Sequence, residues 1–458
     1  MSQAKHISQK TGIDRLSFYT SHYYLSMASL AKMRGVDVNK FHVGLGQFKM
    51  AVPAPDEDIV TMAANAAQSI LKDIDVSTID TLLFATESGV DQSKSAGIFV
   101  HGLLDLPSQC RVVELKQACY SATHALQMAC AWVDRHPNKK VLLIASDIAR
   151  YGFNSSGESS QGCGAVAMLI TANPRILAIE HEYGIYTDDV MDFWRPNYRE
   201  EALVEGRYST KVYLHALDQA WKSYHDMSGR TFADHDYHLY HTPVPRLVEK
   251  AHKQLAEKAA GLQLSESDVK SQLDSALYYA REIGNGYSAA LYMSLISFLD
   301  NTLEDVSAKR IGFYSYGSGC VAEYFSGIVQ PGYRENLLTQ QHKAMLENRQ
   351  VLTGQEYESF YETTLPTDGS PMQLPEHRTG EFRLEGIENH KRIYKKKPSK
   401  VLLSNSGSCA ISPGKLIISG EHAVVYGRPA IAMAVNRFVK TTVTPEDQET
   451  VSFHLLDL

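Results

Sequence analysis

From about Ile13 to Val329 the chain alternates short apolar runs, rich in β-branched residues, with longer stretches of helical periodicity. Thr81–Thr86, Val112–Leu115, Val141–Ala145 and Ala165–Ile170 read as buried strands. Strands of this kind alternating with helices predict an α/β protein. Around Cys119, and again around Asn285 and Ser318, the order reads as strand, small-residue turn with a polar side chain, then helix, which predicts a duplicated architecture. Past Pro331 the pattern loosens into polar helical sequence and a loop, LPTDGSPMQLPEHRTG. The alternating run Glu381–Tyr394 then reads as closing strands of the main domain. Beyond Lys400 the texture changes again, so the expected boundaries are 1–170, 171–398 and a separate piece, 399–458.

Composition narrows the function classes. With 458 residues, 44% hydrophobic and 21% charged, the chain has the make-up of a globular protein of two or three domains. A net charge of -7 argues against a nucleic-acid surface, which calls for a concentrated basic patch. The one basic run, Lys391–Lys400, reads as a solvated linker. Six scattered cysteines, with no CxxC pair, predict reduced thiols in a cytoplasmic protein. No signal-peptide core is present, and no run approaches the roughly twenty apolar residues of a membrane helix.

The candidate chemistry centres on Cys119. In VVELKQACYSATHALQMACAWV an apolar strand leads into Lys116-Gln117-Ala118, and the thiol stands where an amphipathic helix begins. A helix N-terminus favours the thiolate, so Cys119 is read as a nucleophile with a lowered pKa, against the alternative of an inert buried thiol. Cys130 falls on an apolar helix face, and Cys163 and Cys320 read as members of Gly-rich turns. In TLLFATESG a nearly all-apolar strand carries Glu87 to its C-terminal end, where open α/β sheets bind ligands. There it is either a carboxyl of raised pKa, suited to taking a proton from carbon beside a carbonyl, or a loop ion pair or cap.

In DHDYHLYHTPVPRLVEKAHK, strand alternation would set His238 opposite His235 and His241, which disfavours a metal site. His241, at the strand end before Pro243, reads as a donor to a substrate carbonyl. Arg246 and Lys250, one turn apart on the next helix, are either contacts for ligand phosphates or part of a solvated face. Gly284-Asn285-Gly286 and Gly317-Ser318-Gly319 are turns that let backbone approach a ligand closely.

Taken together, VGLGQFKM, LLFATESGVDQSKSAG, VVELKQACYSATHAL, ASDIARYG, QGCGAVAMLI, YTDDVMDFWRPN, YHTPVPRLVEKA, IGNGYSAALY and YSYGSGCVAEYF strongly resemble hydroxymethylglutaryl-CoA synthases over about residues 12–395. The resemblance implies a thiolase fold, an α/β architecture with two similar halves in alternating helix and sheet layers, and a homodimer. It implies an acyltransferase of the mevalonate pathway that joins acetyl-CoA to acetoacetyl-CoA and needs no cofactor or metal. Cys119 would carry the acetyl group, Glu87 would take a methyl proton and His241 would orient acetoacetyl-CoA. Asn285, Ser318, Ser209, Ser160, Arg246 and Lys250 would contact substrate. Arg246 departs from the lysine that many relatives carry, which changes the geometry offered to a phosphate.

The tail differs. SPGKLIISGEHAVVYGRPAIAMAV resembles the first motif of mevalonate kinases, and the chain stops before a Gly-rich ATP loop. A kinase-like fragment, about 400–458, with no kinase activity and little core of its own is therefore expected. Two other readings stand beside the synthase: a ketoacyl synthase of the same fold, for which Glu87 would have no use, and an inactive fusion product.

Overall fold

The computed structural model describes residues 10–199 and 201–397, together with the backbone of Ser408–Ser419 and Ile431–Val443. The chain divides into two compact units, Met1–Lys397 and Pro398–Leu458.

Nine strands form the central sheet of the first unit: β1 (Thr11–Tyr19), β2 (Ile79–Ala85), β3 (Arg111–Leu115), β4 (Lys140–Ala149), β5 (Gly162–Ala172), β6 (Leu177–Thr187), β7 (Tyr237–Tyr240), β8 (Arg310–Gly317) and β9 (Val321–Val329). Their order is β7-β8-β9-β6-β1-β5-β4-β2-β3. Within it one pattern occurs twice. β2 runs parallel to β4, which is antiparallel to β5, which is antiparallel to β1. Likewise β7 runs parallel to β8, which is antiparallel to β9, which is antiparallel to β6. The duplication expected from sequence thus appears in strand order, with β3 as an extra edge.

The two half-sheets meet where β1 pairs with β6 through Gly12↔Ala178 and Ile13↔Leu177. A Cβ at Gly12 would lie 2.1 Å from the Leu177 carbonyl oxygen, so the seam requires glycine there.

Helices cover the sheet. α1 (Ile59–Leu71) opens with a capping box between Asp58 and Thr61, and its alanine-rich sequence lets it lie close against β1 and β5. α2 (Ser121–Arg135) crosses β4 and β5, while α3 (Gly206–Ser228) covers β6 and β9. α4 (Pro245–Ala260) and α5 (Glu266–Ile283) follow β7. α6 (Ala290–Asn301) is buried from Ala290 to Asp300, as its all-round apolar sequence demands. One hydrophobic core runs continuously from residues of β1, β4 and β5 to those of α6 and β8. No helix among the described residues is long and apolar enough to cross a membrane.

Several expectations change. Asn285 lies between α5 and α6, a helix-to-helix turn, because the preceding apolar positions recur at helical spacing. Ser318 lies in the hairpin between β8 and β9, so neither repeats the strand-turn-helix order seen at Cys119. The run Glu381–Tyr394 does form strands, Phe382–Glu388 and Lys391–Lys396, but they make a separate three-stranded sheet with Met372–Gln373. Much of the basic run is therefore strand and not linker: Arg392 and the Tyr394 hydroxyl both reach Asp58, at 3.0 and 2.6 Å. Cys163 lies inside buried β5 and not in a turn.

In the second unit, Ser408–Ser419 pairs antiparallel with Ile431–Val443. The rest of the stretch that resembles a kinase motif, 420–430, and the end of the chain, 444–458, lie outside the described residues.

Candidate active site

The chain between β3 and α2 makes a tight turn in which Ala118 adopts a left-handed backbone, φ 42°. That conformation costs an alanine about 1–2 kcal/mol, so neighbours must hold it. The Gln117 side chain donates to the Ser318 carbonyl at 3.2 Å, and the Tyr120 hydroxyl donates to Glu323 at 2.6 Å. Gly317 lies so close beneath that a Cβ there would meet the Gln117 carbonyl oxygen at 2.6 Å. The hairpin of the second half therefore braces the cysteine turn of the first.

The Cys119 thiol points at Glu87 and donates to Oε1 at 3.0 Å. Glu87 follows β2 in a turn fixed by Asp147, a fully buried residue of β4. Asp147 Oδ1 accepts from the Thr86 hydroxyl, the Glu87 and Ser88 backbone N–H groups and the Ser88 hydroxyl, at 2.7 to 3.0 Å. Its Oδ2 accepts from the backbone N–H and hydroxyl of Ser288, just before α6. Facing donors alone, Asp147 is satisfied as a carboxylate. Burial and the Asp147 charge push Glu87 up to about 8, against the Cys119 hydrogen bond and the Arg195 cation, which pull it down. Burial and the Glu87 carboxylate push the Cys119 thiol well above its usual range.

His241 follows β7. Its backbone N–H donates to Tyr314 at 2.7 Å and its carbonyl accepts from the Tyr213 hydroxyl at 2.8 Å. The imidazole is buried, its Nδ1 has no hydrogen-bond partner, and burial lowers its pKa to about 3. It is a neutral ring at physiological pH.

These groups open on a cavity of about 270 Å³ lined by Cys119, His241, Asn285, Ser318, Ser209 and Ser160, with aromatic walls that include Tyr151, Phe193, Tyr287 and Tyr316. The Asn285 side chain is held by the Tyr287 backbone N–H at 2.8 Å. Asp192 ties the wall together, accepting from Ser209 at 3.0 Å, Tyr316 at 2.7 Å and the Gly319 backbone at 2.9 Å.

Family descriptions of the hydroxymethylglutaryl-coenzyme A synthase N terminal and C terminal match residues 7–175 and 177–258 with 252–367, respectively. The hydroxymethylglutaryl-CoA synthase of Enterococcus faecalis is 42% identical over 384 residues, covering 84% of this chain and 99% of the relative. The chain belongs to the hydroxymethylglutaryl-CoA synthase family. A polyketide-biosynthesis 3-hydroxy-3-methylglutaryl-ACP synthase of Bacillus subtilis is 36% identical, covering 76% of this chain and 87% of the relative. Among solved structures, a hydroxymethylglutaryl-CoA synthase complexed with CoA superposes with TM-score 0.80 at 39% identity, over 84% of this chain and all of the other. MvaS in complex with 3-hydroxy-3-methylglutaryl coenzyme A gives a TM-score of 0.77 at 35% identity, over 86% of this chain and all of the other. The α/β fold is thus the thiolase-like fold of this acyl-transferring family.

Of the residues singled out in the sequence, this synthase-family chain gathers Cys119, His241, Asn285, Ser318, Ser209 and Ser160 around one cavity, with Glu87 in contact with Cys119 behind that lining. Arg246 and Lys250 lie outside its lining. Arg246 is ion-paired with Glu249 and Glu266, while Lys250 is exposed one turn further along α4, beyond the lining residue Leu247. The expected thiolate at a helix N-terminus is corrected. Cys119 precedes the first helical residue by two positions and faces a carboxylate in a desolvated pocket, and both effects oppose ionisation. His235 is corrected as well: it precedes β7, where strand alternation does not reach, and its ring lies 5.4 Å from that of His238 on the same side. Tyrosine hydroxyls engage both rings, Tyr224 on His235 at 2.9 Å and Tyr324 on His238 at 2.6 Å.

Asp147, Asp192 and Arg195 were missed. The run VLLIASDIA carries a signal for Asp147, since it places a lone carboxylate near the end of an apolar strand as TLLFATESG does for Glu87.

Proposed function

We propose that the chain condenses acetyl-CoA with acetoacetyl-CoA and water to give 3-hydroxy-3-methylglutaryl-CoA and CoA, through an acetyl thioester on Cys119. The observation that carries this reading is the 3.0 Å Cys119–Glu87 hydrogen bond at a cavity shared with a neutral, unpartnered His241. A thiol of raised pKa attacks as its proton leaves, and Glu87 is the base in contact with it. Cys119 attacks the acetyl carbonyl, the bond to CoA sulfur breaks, and the proton passes through Glu87 to the departing thiolate.

Glu87 then takes a proton from the acetyl methyl group. The resulting enolate carbon attacks the ketone of acetoacetyl-CoA, whose oxygen His241 polarises as a neutral donor. The new alkoxide recovers the proton, and water cleaves the thioester, leaving a carboxylate product and free Cys119. The thioester supplies the carbon acidity, so the chemistry calls for no resident cofactor or metal.

Asn285, Ser318, Ser209 and Ser160 fit as contacts to the acyl and pantetheine portions, with Lys250, and Arg246 once released from its glutamates, near the phosphates outside. The open edge of β3, with exposed Val113, suits pairing with a second copy and supports a homodimer, which sedimentation of the purified chain would test. A kinase-like origin for residues 399–458 rests on the sequence motif alone.

The test pairs wild type with Cys119→Ala and measures free thiol release with both substrates, together with intact mass. Wild type should release thiol in the condensation and gain an acetyl group that the variant lacks. A soluble, folded wild type that does neither refutes the proposal.

A further inference from the structure

Glu87 has a neighbour that the proposed reaction does not use. The segment after β6 folds back as a small flap, Phe193–Trp194 paired with Leu203–Val204, and Phe193 and Val204 line the cavity. Arg195, the next residue of the flap, is half-buried and donates from its guanidinium to the Glu87 carbonyl. Asp192 anchors the root of the flap through its own carbonyl, which accepts from the Glu205 N–H at 3.1 Å. The Glu87 turn is thus gripped from two sides, by Asp147 within the sheet and by Arg195 on the flap.

From this geometry we infer that Arg195 is a positioning residue for Glu87: its cation, held on the Glu87 carbonyl by the flap, fixes the turn that carries the carboxyl and sets positive charge beside it. The inference rests on the reading of Glu87 as the proton carrier. The charged and titratable groups facing Glu87 are Asp147 of β4, Cys119 before α2, the phenols of Tyr151 and Tyr287, and Arg195. Arg195 is the one cation among them. Asp147 opposes ionisation of Glu87, and Arg195 offsets that opposition. The same arginine belongs to the flap wall, so one segment both covers the cavity and sets a cation beside Glu87.

The experiment uses the full chain as wild type, Arg195→Met and Arg195→Lys. It records acetyl-Cys119 by intact mass with acetyl-CoA alone, and the condensation rate across a pH range bracketing 8. In Arg195→Met the acetyl-enzyme should still form, at a reduced rate, while condensation slows about tenfold and its acidic limb moves up by about one pH unit. Arg195→Lys should return the limb towards wild type. An unmoved limb in Arg195→Met overturns the inference even if the rate falls, as does a lysine variant indistinguishable from methionine. Should Arg195→Met not fold, Arg195→Gln is read by the same criteria. Failure of the underlying reading is distinct: Glu87→Gln would then condense at close to the wild-type rate.

Discussion

β2 and β7 occupy equivalent places in the two halves of the sheet, each running parallel to the strand beside it, yet they deliver opposite kinds of group to the cavity. Just past β2 stands Glu87, a carboxyl pushed up to about 8 with Cys119 in contact; just past β7 stands His241, an imidazole held neutral by burial. The first half carries what exchanges protons and forms bonds, and the second carries neutral donors: His241, Asn285 and Ser318. Burial acts on both ends, and its result differs with the acid. Desolvation keeps a carboxyl near its titration point at physiological pH but removes an imidazole from titration altogether. A duplicated frame thus yields a base and a fixed donor from one physical effect.

The sharpest way to break that division is Glu87→Gln. Loss of the base should lower condensation by about 10²–10⁴-fold. Acetyl transfer to Cys119, read by intact mass, should survive at a reduced rate because water can take the thiol proton. Condensation near the wild-type rate would remove Glu87 from the mechanism. His241→Ala should cost less, about 10²–10³-fold, and should fall on the step that uses acetoacetyl-CoA. Since His241 does not titrate in the physiological range, the pH limbs should stay where wild type has them. A limb that disappears in this variant would show that His241 exchanges protons, and the contrast between the two strands would fail.

Much of this division was legible in the sequence because its carriers interrupt strong patterns. Glu87 ends an apolar strand, Cys119 follows a strand and precedes a helix, and His241 sits before a proline that stops extended chain. What stayed hidden depends on approach in three dimensions. Nothing in the spacing indicates that Glu323 of β9 would grip Tyr120 beside the nucleophile, or that Arg195 would reach the Glu87 carbonyl across 108 positions. The sign of the Cys119 shift was hidden for the same reason: the helix start is local, whereas the opposing carboxylate comes from another strand. Lys391–Lys396 misled in the other direction, since its charges suggested solvent while Ile393 and Tyr394 are partly covered.

Asp147→Asn refines the comparison by moving a single charge. The substitution keeps the size of the side chain and withdraws a negative charge beside Glu87, so the Glu87 pKa should fall and the acidic limb of condensation should shift to lower pH. The amide also turns one acceptor into a donor that faces other donors, so the rate at the optimum should drop by about tenfold. The direction is opposite to that expected for Arg195→Met. Limbs that move the same way in both variants would mean that disorder of the turn, and not charge, governs Glu87.

The smallest effect belongs to the periphery of the second half. Lys250 is exposed on α4 and stands outside the cavity lining, so a contact with CoA phosphate would be made in water and screened by salt. Lys250→Ala should raise KM for both CoA substrates by about twofold to fivefold at low salt, leave kcat within error, and lose its effect as ionic strength rises. Arg246 should behave differently. Its ion pairs with Glu249 and Glu266 must open before it can reach a phosphate, so Arg246→Ala should change KM less than Lys250→Ala, and Glu249→Gln should lower KM by freeing the cation. A salt-independent loss of kcat in Lys250→Ala would instead place that lysine inside the reacting complex, and the second half would then bring a charge to the substrate itself, beyond the cation that Arg195 sets beside Glu87.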